Sequence, residues 1–552
     1  MRRDATSKQG TNRQNEQVER REYERENDQN TMATSTDQQK TFNAIWGILE
    51  RLRAGVHAND IEIHIISILF YRFVSEKLAT YINKGEEEGF DYASLTDEQA
   101  EQARTGIADE LGYFILPSDL FCNIYKKKND PDFNLTVSGA YRRFDESCRG
   151  ASRSEKNFED LLNDIDFSTP KLGPTVAARN KVIADIFEVF NNLDIDYTDA
   201  DNDIFGDIYE FLMHKFASNG GKSGGEFYTP QEVSKLLTKL MIKEHPGKIR
   251  KVYDPACGSG SLLLQFRKQL RPTDPTDQIE YCGQEINVTT YNIARMNMIL
   301  HGVEYTHFDI ELGDTLTDPK HRDEQFDAVV SNPPYSISWE GDSNPTLIND
   351  ERFAPAGVLA PKSKADLAFT MHILYSLTDD GTAAIVEFPG VLYRGGAEQK
   401  IRKYLVDHNY IAAIIQLPEN MFYGVSIATC ILILNKGKAD DDNIQFIDAS
   451  DRYVHEGNKN KLSDADIDFI TKTVADRKDI THVSKIVDKE TIAGEEYNLA
   501  VSTYVEKKDD RPDIDIDDLN ARLADTVASE NKLRADIDAI IDEFVKEWEA
   551  QK

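Results

Sequence analysis

The sequence predicts an α/β protein: a doubly wound, mostly parallel sheet, with an α-helical N-terminal domain before it and a C-terminal helical extension after it. Three observations carry this. Between Lys251 and Leu434, short apolar runs alternate with amphipathic helical stretches, the pattern of strand–helix–strand units. The early runs end on turns bearing an acid or an amide, and open parallel sheets place their ligands at the carboxyl ends of strands. Before Leu193, apolar residues recur at steps of three and four, and strand-like alternation is scarce.

Bulk properties narrow the classes. The chain has 552 residues, 40% of them hydrophobic, enough for about two or three domains. No apolar run reaches the roughly 18 residues of a membrane helix, and the richest, Ile61 to Phe73, contains Glu62, His64 and Arg72. No apolar segment follows the charged N-terminus, so no signal peptide is expected and a cytoplasmic location fits. The five cysteines are scattered without a Cys-x-x-Cys pair, which indicates neither a disulfide framework nor a metal site. Net charge is −33, so no general phosphate-neutralising surface is expected. If the substrate is a nucleic acid, a basic partner or a local basic patch must supply the grip.

Taken in order, residues 1–36 are polar and read as a disordered tail. Residues 37–195 read as the helical domain. Phe42, Ile45, Trp46, Leu49 and Leu52 lie on one helical face, and Asn59-Asp60 caps a helix to about Ile82. Thr96 to Leu111 and Thr175 to Leu193 are further helices. Nothing here has catalytic spacing, and His57 and His64 read as surface or packing residues. A docking or DNA-facing module is the expected role.

Residues 196–505 read as the sheet domain. Helix Ile204 to Phe216 leads into a glycine-rich loop, Ser218 to Gly225, which lacks the preceding strand and the first glycine of a phosphate loop. Thr229-Pro230 fits N-cap then first turn of the helix carrying Val233, Leu236, Leu237 and Leu240. Strands are expected at Lys251–Tyr253, Ile279–Gln284, Thr306–Leu312, Phe326–Val330, Thr382–Phe388, Ile411–Leu417 and Ile427–Leu434. The last two are joined by a short connection, so an antiparallel edge pair is expected. Helices are expected at Leu262–Leu270, Thr289–Leu300, Ala365–Leu377 and Ala397–Val406. Beyond Asn435, Ile444 to Ile447 reads as a strand and Asp464 to Val474 as a helix. Residues 506–552 form the extension. Leu519, Leu523, Leu533, Ile537, Ile540, Phe544 and Trp548 recur at heptad-like steps, interrupted at Thr526 and Glu530. Such a helix packs on its own domain or, the favoured reading, docks a partner helix.

The strand ends carry the chemistry. Asp254-x-x-x-Gly258-x-Gly260 lies between strand and helix, where glycines let backbone approach a ligand. Glu285 ends the second strand and Asp314 follows the third. An acid after the second strand suits ribose hydroxyls, and the first acid suits a ligand amino group. Ribose plus a cationic amino end points to S-adenosylmethionine, since no basic residue in these loops clamps a triphosphate. Ser331-Asn332-Pro333-Pro334-Tyr335 follows the fourth strand, and its prolines stop the ladder. An amide, exposed carbonyls and a ring on rigid backbone can hold a planar amino group and stack on the ring that bears it.

Asp254-Pro-Ala-Cys-Gly-Ser-Gly-Ser261 and Asn332-Pro-Pro-Tyr335, with Glu226-Phe-Tyr-Thr-Pro230 upstream, resemble the N6-adenine DNA methyltransferases. They resemble most closely the modification subunit of type I restriction-modification systems. The likeness covers about residues 38 to 500, including the late Phe388 to Leu392 segment. It implies the S-adenosylmethionine-dependent methyltransferase fold and that cofactor. It implies cofactor contacts from Glu226, Phe227, Tyr228, Thr229, Pro230, Gln231, Ser259, Gly260, Ser261 and Glu285, beside the Asp254, Gly258 and Asp314 read above. It implies catalysis by Asn332, Pro333, Pro334 and Tyr335 on double-stranded DNA. It also implies a separate specificity subunit, two modification subunits to one, and a translocating restriction subunit. No membrane partner is implied.

Adenine N6 is a poor nucleophile because its lone pair is conjugated into the ring. The Asn332 oxygen and the Pro333 carbonyl are expected to accept its hydrogens, and Tyr335 to stack on a flipped-out base. The polar segment Ser336 to Lys364, with Arg352, Lys362 and Lys364, is expected to be mobile and to close on DNA. Competing readings are a protein glutamine methyltransferase, which also uses Asn-Pro-Pro-Tyr, an N4-cytosine DNA methyltransferase, where Ser more often replaces Asn, and a silent scaffold.

Overall fold

The computed structural model describes residues 42–52, 58–87, 89–149, 155–193, 204–219, 229–244, 249–270, 278–423, 426–439, 443–508 and 515–550. The expected tail, the glycine-rich loop beyond Asn219, and Glu226, Phe227 and Tyr228 lie outside these residues. One compact unit ends at Val505 and a second begins at Glu506.

The helical region follows its apolar spacing. The first helix (42–52) buries Phe42, Ile45, Trp46 and Leu49. The second (Ala58–Gly85) buries Ile61, Ile65, Ile68, Leu69 and Val74. Each such aliphatic side chain contributes about 1.5–3 kcal/mol on burial. Buried Arg72 on this helix donates to the carbonyls of Phe190 and Leu193, closing the end of helix Val176–Asn191. Thr175 caps that helix through Ala178 N–H at 3.2 Å. His64 is a packing residue, 3.0 Å from the Asp166 carbonyl and edge-on to Phe167. The expected helix from Thr96 to Leu111 is two, Asp97–Glu101 and Arg104–Leu111, broken by a tight turn from Ala100 to Ala103.

These helices lock directly onto the sheet region, which is why they share its unit. Asn157 donates to the carbonyls of Tyr305 and Phe308, and Arg295 donates to those of Lys156 and Glu159. Backbone acceptors bound by buried donors leave little room for relative movement.

The strands are β1 (Lys251–Asp254), β2 (Glu280–Glu285), β3 (Phe308–Leu312), β4 (Phe326–Ser331), β5 (Leu377–Glu387), β6 (Ile411–Gln416), β7 (Cys430–Asn435), β8 (Ile444–Asp448), β9 (Val454–Glu456), β10 (Lys459–Lys461) and β11 (Ser484–Val487). Strands β9 and β10 form a separate hairpin. The other nine form one sheet in the order β11-β8-β6-β7-β5-β4-β1-β2-β3. From β3 to β5 every pairing is parallel. Strand order reverses between β1 and β4, creating the crevice in which doubly wound sheets bind ligands. Residues along each strand alternate between two cores: Val252, Ala328, Val330 and Ala384 face one, and Tyr253, Val329, Ala383 and Ile385 the other.

The structure corrects the expected edge pair. Strands β6 and β7 are antiparallel, but β7 lies between β5 and β6, and β8 and β11 extend the sheet further. The reason is in Cys430-Ile-Leu-Ile-Leu, apolar on both faces and buried throughout, which an edge position would leave open.

The segment after the Pro-Pro turn is also corrected. Residues 336–364 are packed through Trp339, Leu347, Phe353 and Leu359 and wound into short 3₁₀ turns. Arg352 is buried, not DNA-facing: it pairs with Asp350 and donates to the Thr315 and Leu316 carbonyls at 2.8 Å. Lys362 binds Ser343 at 2.6 Å.

Among its described residues the second unit contains one helix, Ile516–Ala550, with no buried residue. Its heptad side chains stand exposed, among them Leu523, Ile537, Phe544 and Trp548. No helix among the described residues is long and apolar enough to cross a membrane.

Candidate active site

Asp254 ends β1 in full burial. Its Oδ1 accepts the Ala256 N–H at 3.0 Å and the Ser331 hydroxyl at 2.8 Å, while Oδ2 is buried without a protein partner. Burial pushes this carboxyl up to about 7. The Ser331 bond ties the end of β1 to the end of β4, one residue before Asn332.

The glycine turn then folds back over β2. Cys257 N–H donates to the Gln284 carbonyl at 3.0 Å, and Gly258 N–H to Glu285 Oε2 at 3.1 Å. Asn287 N–H takes Oε1 at 2.8 Å. Burial raises the Glu285 carboxyl and these bonds oppose the rise. Gly258 and Gly260 have φ of +54° and +76°, which only glycine adopts without strain. A Cβ at Gly260 would also stand 3.2 Å from the Met298 methyl. The Ser259 and Ser261 hydroxyls lie 2.9 Å apart. Asp314 sits at the turn after β3, half-buried, where Oδ1 accepts the Leu316 N–H at 2.9 Å. Cys257 is a small packed residue, as its place in the turn implies.

Upstream, the structure differs from the expected cap. The helix begins at Gln231, and the Pro230 carbonyl accepts the Val233 and Ser234 N–H groups. The Thr229 hydroxyl accepts Asn332 Nδ2 at 3.1 Å. Gln231 receives Gln265 Nε2 on its carbonyl oxygen at 2.6 Å, and its own Nε2 is buried without a partner.

At the end of β4, Asn332 is half-buried, Pro333 buried and Pro334 exposed. The Tyr335 hydroxyl donates to Asn332 Oδ1. Burial pushes that hydroxyl well up, with Glu387, Cys430 and Asp366 adding to the rise. Phe422 meets the Tyr335 ring edge-on at 6.3 Å.

Of the residues expected from the sequence, the structure brings Thr229, Asn332 and Tyr335 together by hydrogen bonds, and Asp254, Gly258 and Glu285 beside them. Sequence reasoning missed Ser331 as the link between the strand ends. It also missed Thr315, whose hydroxyl holds the Pro255 carbonyl at 2.5 Å, and Asn297, which holds the Ser259 carbonyl at 2.8 Å. Phe422 had no local signal, being 87 residues along the chain from Tyr335. Away from the site, Cys282, His321 and Glu324 cluster, but Glu324 already pairs with the Lys251 ammonium.

A profile of the family described as N-6 DNA Methylase matches residues 200–513, which contain every residue of this site. The chain belongs to that family. It is 43% identical to the type I restriction enzyme MpnII methylase subunit of Mycoplasma pneumoniae, over 91% of this chain and 95% of that one. It is similar to the crystal structure of the type I restriction-modification methyltransferase subunit from Streptococcus thermophilus, with TM-score 0.77 and 35% identity over 85% of this chain and all of that one. A structure described as the basis of complex assembly and conformational transition of the type I system shares the fold, with TM-score 0.62 and 19% identity over 93% and 99% of the two chains. The fold is that of S-adenosylmethionine-dependent methyltransferases. As a member of the N-6 DNA methylase family, this chain is an adenine-specific DNA methyltransferase in the role of a type I modification subunit.

Proposed function

We propose that the ends of β1, β2 and β3 hold S-adenosylmethionine, and that the turn Asn332–Tyr335 presents N6 of a flipped-out adenine to it. The donor set fits the cofactor. Asp254 Oδ2 and Gln231 Nε2 are buried and unpartnered, an acceptor and a donor suited to an amino acid end. Glu285 keeps lone pairs beyond the two its N–H partners use, as ribose hydroxyls require. The glycine backbone allows close approach. When bound, S-adenosylmethionine supplies a methyl group on a positively charged sulfur.

The observation that carries the reading is the Asp254–Ser331 bond, which sets the amino-end acceptor one residue from Asn332. Thr229 takes Asn332 Nδ2 and so turns Oδ1 toward the base, where the Tyr335 hydroxyl holds it until adenine arrives. That oxygen and the Pro333 carbonyl take the two N6 hydrogens, favouring a pyramidal nitrogen and stabilising the charge that grows on it. Tyr335, backed by Phe422, stacks on the base. Transfer is then direct and in line, achieved by positioning, with no covalent enzyme intermediate.

A chain of net charge −33 needs help to hold DNA. The names of the type I relatives and the assembly structure support work within a type I complex; the partners in this reading are a specificity subunit, with two modification subunits to one, and a restriction subunit. The helix Ile516–Ala550 is the proposed dock, because its heptad face is exposed. Deleting the residues after Pro512 should release the specificity subunit; undiminished co-purification rejects that dock. The test of the whole reading is modified-base sequencing of DNA from cells expressing this chain with and without its genomic neighbours. N6-methyladenine at a defined sequence, dependent on a neighbour and lost in Asn332→Ala, is expected. N4-methylcytosine, or unmodified DNA beside a methylated protein glutamine, would replace it.

A further inference from the structure

Glu387 closes β5 one strand away from Asn332, and no role above uses it. It is fully buried. Thr370 donates to Oε1 at 2.6 Å, and Oε2 has no protein partner. Asp366 lies at the start of helix Asp366–Ser376, one turn before Thr370, so the two face the same way. It too is buried, and its Oδ2 is also unpartnered. Its Oδ1 accepts the Ser336 N–H at 2.9 Å.

Ser336 directly follows Tyr335 and has φ of +51°. A non-glycine residue holds that conformation only where its surroundings impose it. Asp366 is the side chain that holds the N–H of this residue. Both carboxyls also lie close enough for their charge to be felt at the Tyr335 hydroxyl. Around Glu387 stand Asp366 and Thr370 from the helix, and Cys430 from β7, whose thiol touches the Glu387 carbonyl at 3.4 Å. Glu398 stands there too, itself paired with Arg394 at 3.3 Å, with Lys364 beyond. Among the described residues neither Asp366 nor Glu387 makes an ion pair.

We propose that Asp366 and Glu387 are a positioning pair for the catalytic turn: Asp366 pins Ser336, and Glu387 backs Asp366 and Tyr335, so that the ring and the Asn332 oxygen keep the register a flipped adenine needs. This rests on Asn332–Tyr335 being the methyl-transfer turn. Two buried carboxyls without a cation resist carrying two charges. A proton on Glu387 converts an unpartnered acceptor into a donor, and Asp366 Oδ2 is an unpartnered acceptor in its neighbourhood. Burial, reinforced by Asp366, pushes the Glu387 carboxyl up to about 8. As pH rises through that value Glu387 gains a charge with no cation paired to it, and the turn it holds loosens.

The experiment is single-turnover methyl transfer by the assembled modification complex on its own DNA site, from about pH 6.5 to about pH 9.5. The wild-type rate constant is expected to fall on the alkaline side with an apparent value near 8. In Glu387→Gln that fall disappears from the range, because the amide keeps a donor and cannot ionise. Thr370→Val, which removes a bond that favours ionised Glu387, moves the fall to higher pH and serves if Glu387→Gln does not fold. Asp366→Ala slows transfer on the order of tenfold to a hundredfold, with the loss in rate constant and not in S-adenosylmethionine affinity. An alkaline limb unchanged in both Glu387→Gln and Thr370→Val overturns the proposal, as does an Asp366→Ala rate within about twofold of wild type. Asn332→Ala is the control: if it still methylates, the underlying reading of the turn fails, and if it is silent while the limb is unchanged, only the pairing fails.

Discussion

At the ends of β1 and β2 the polar atoms have capacity to spare, whereas at the end of β4 they are spent on one another. Asp254 Oδ2 is empty-handed in full burial, and Glu285 is held by backbone N–H groups that fix it without exhausting it. Asn332, by contrast, gives Nδ2 to Thr229 and takes the Tyr335 hydroxyl on Oδ1. In the proposed reading the first half is a preformed receptor, and the second, satisfied in isolation, exchanges a partner when the base arrives. This division matches the chemistry: a small cofactor binds a fixed cradle, while a base pulled from a duplex needs a site that does not stand open with unpaired buried polar groups in the meantime.

The largest expected effect separates the halves. Asn332→Ala removes the acceptor aimed at N6 and leaves the cradle intact. The methyl-transfer rate constant should fall about a thousandfold or more, the scale seen when a transition-state hydrogen-bond partner is lost, with S-adenosylmethionine affinity within about twofold by calorimetry. A loss confined to affinity, with turnover per bound cofactor unchanged, would show that Asn332 belongs to the receptor half and break the comparison.

The complementary change is Asp254→Asn. It should weaken S-adenosylmethionine about tenfold to a hundredfold, the cost of removing one charged hydrogen-bond partner. It should also change the pH dependence of stability. The folded carboxyl is raised to about 7 from an ordinary value of 3.8. Its contribution to stability is therefore fully present below about pH 4 and lost as pH rises through about 7. Without cofactor, wild type should lose melting temperature across that window relative to Asp254→Asn. Identical profiles would mean the carboxyl is not raised and is already paired.

The two halves were also unequally legible in sequence. Glycine at 258 and 260 and acids at 254, 285 and 314 are local to strand ends, so alternating strands and helices were enough to collect them. What escaped is non-local. Ser331 reads as the first residue of the turn until β1 and β4 are known to be neighbours. Phe422 lies between β6 and β7, far along the chain, and meets Tyr335 only once the chain is folded. The misreading of β7 as an edge has the same origin, since pairing order is a long-range property that short apolar runs do not encode. Arg352 failed differently. An arginine in a long polar segment reads as part of a mobile loop that closes on DNA, whereas Asp350, His372 and two backbone carbonyls, brought in by packing, make its burial tolerable. The C-terminal heptads were legible because their spacing is the signal, and Ile516–Ala550 is one uninterrupted helix.

Thr229→Val tests a contact that crosses the two halves. Thr229 comes from the segment proposed to hold the cofactor, yet its hydroxyl accepts the Asn332 amide at 3.1 Å. Valine keeps the shape and removes the acceptor. The Asn332 amide then loses the bond that fixes which end faces the base, and the rate constant should drop about tenfold, with cofactor affinity changed less. Equal losses in both would assign Thr229 wholly to the receptor.

The smallest effect is expected at Tyr335→Phe. The ring that stacks on the base is kept, and only the hydroxyl that occupies Asn332 Oδ1 is removed. In the wild type an incoming adenine must displace that hydroxyl before N6 can donate, and a neutral hydrogen bond of this kind is worth about 0.5–1.5 kcal/mol net. Removing it leaves Oδ1 open in advance, so the apparent affinity for DNA bearing an unpaired target adenine should improve about two- to tenfold. The rate constant should change little, because the transition-state acceptor is untouched. The opposite sign, weaker binding of the unpaired target, would show that the hydroxyl contacts the base directly. The β4 end would then be a receptor of the same open kind as the β1 end.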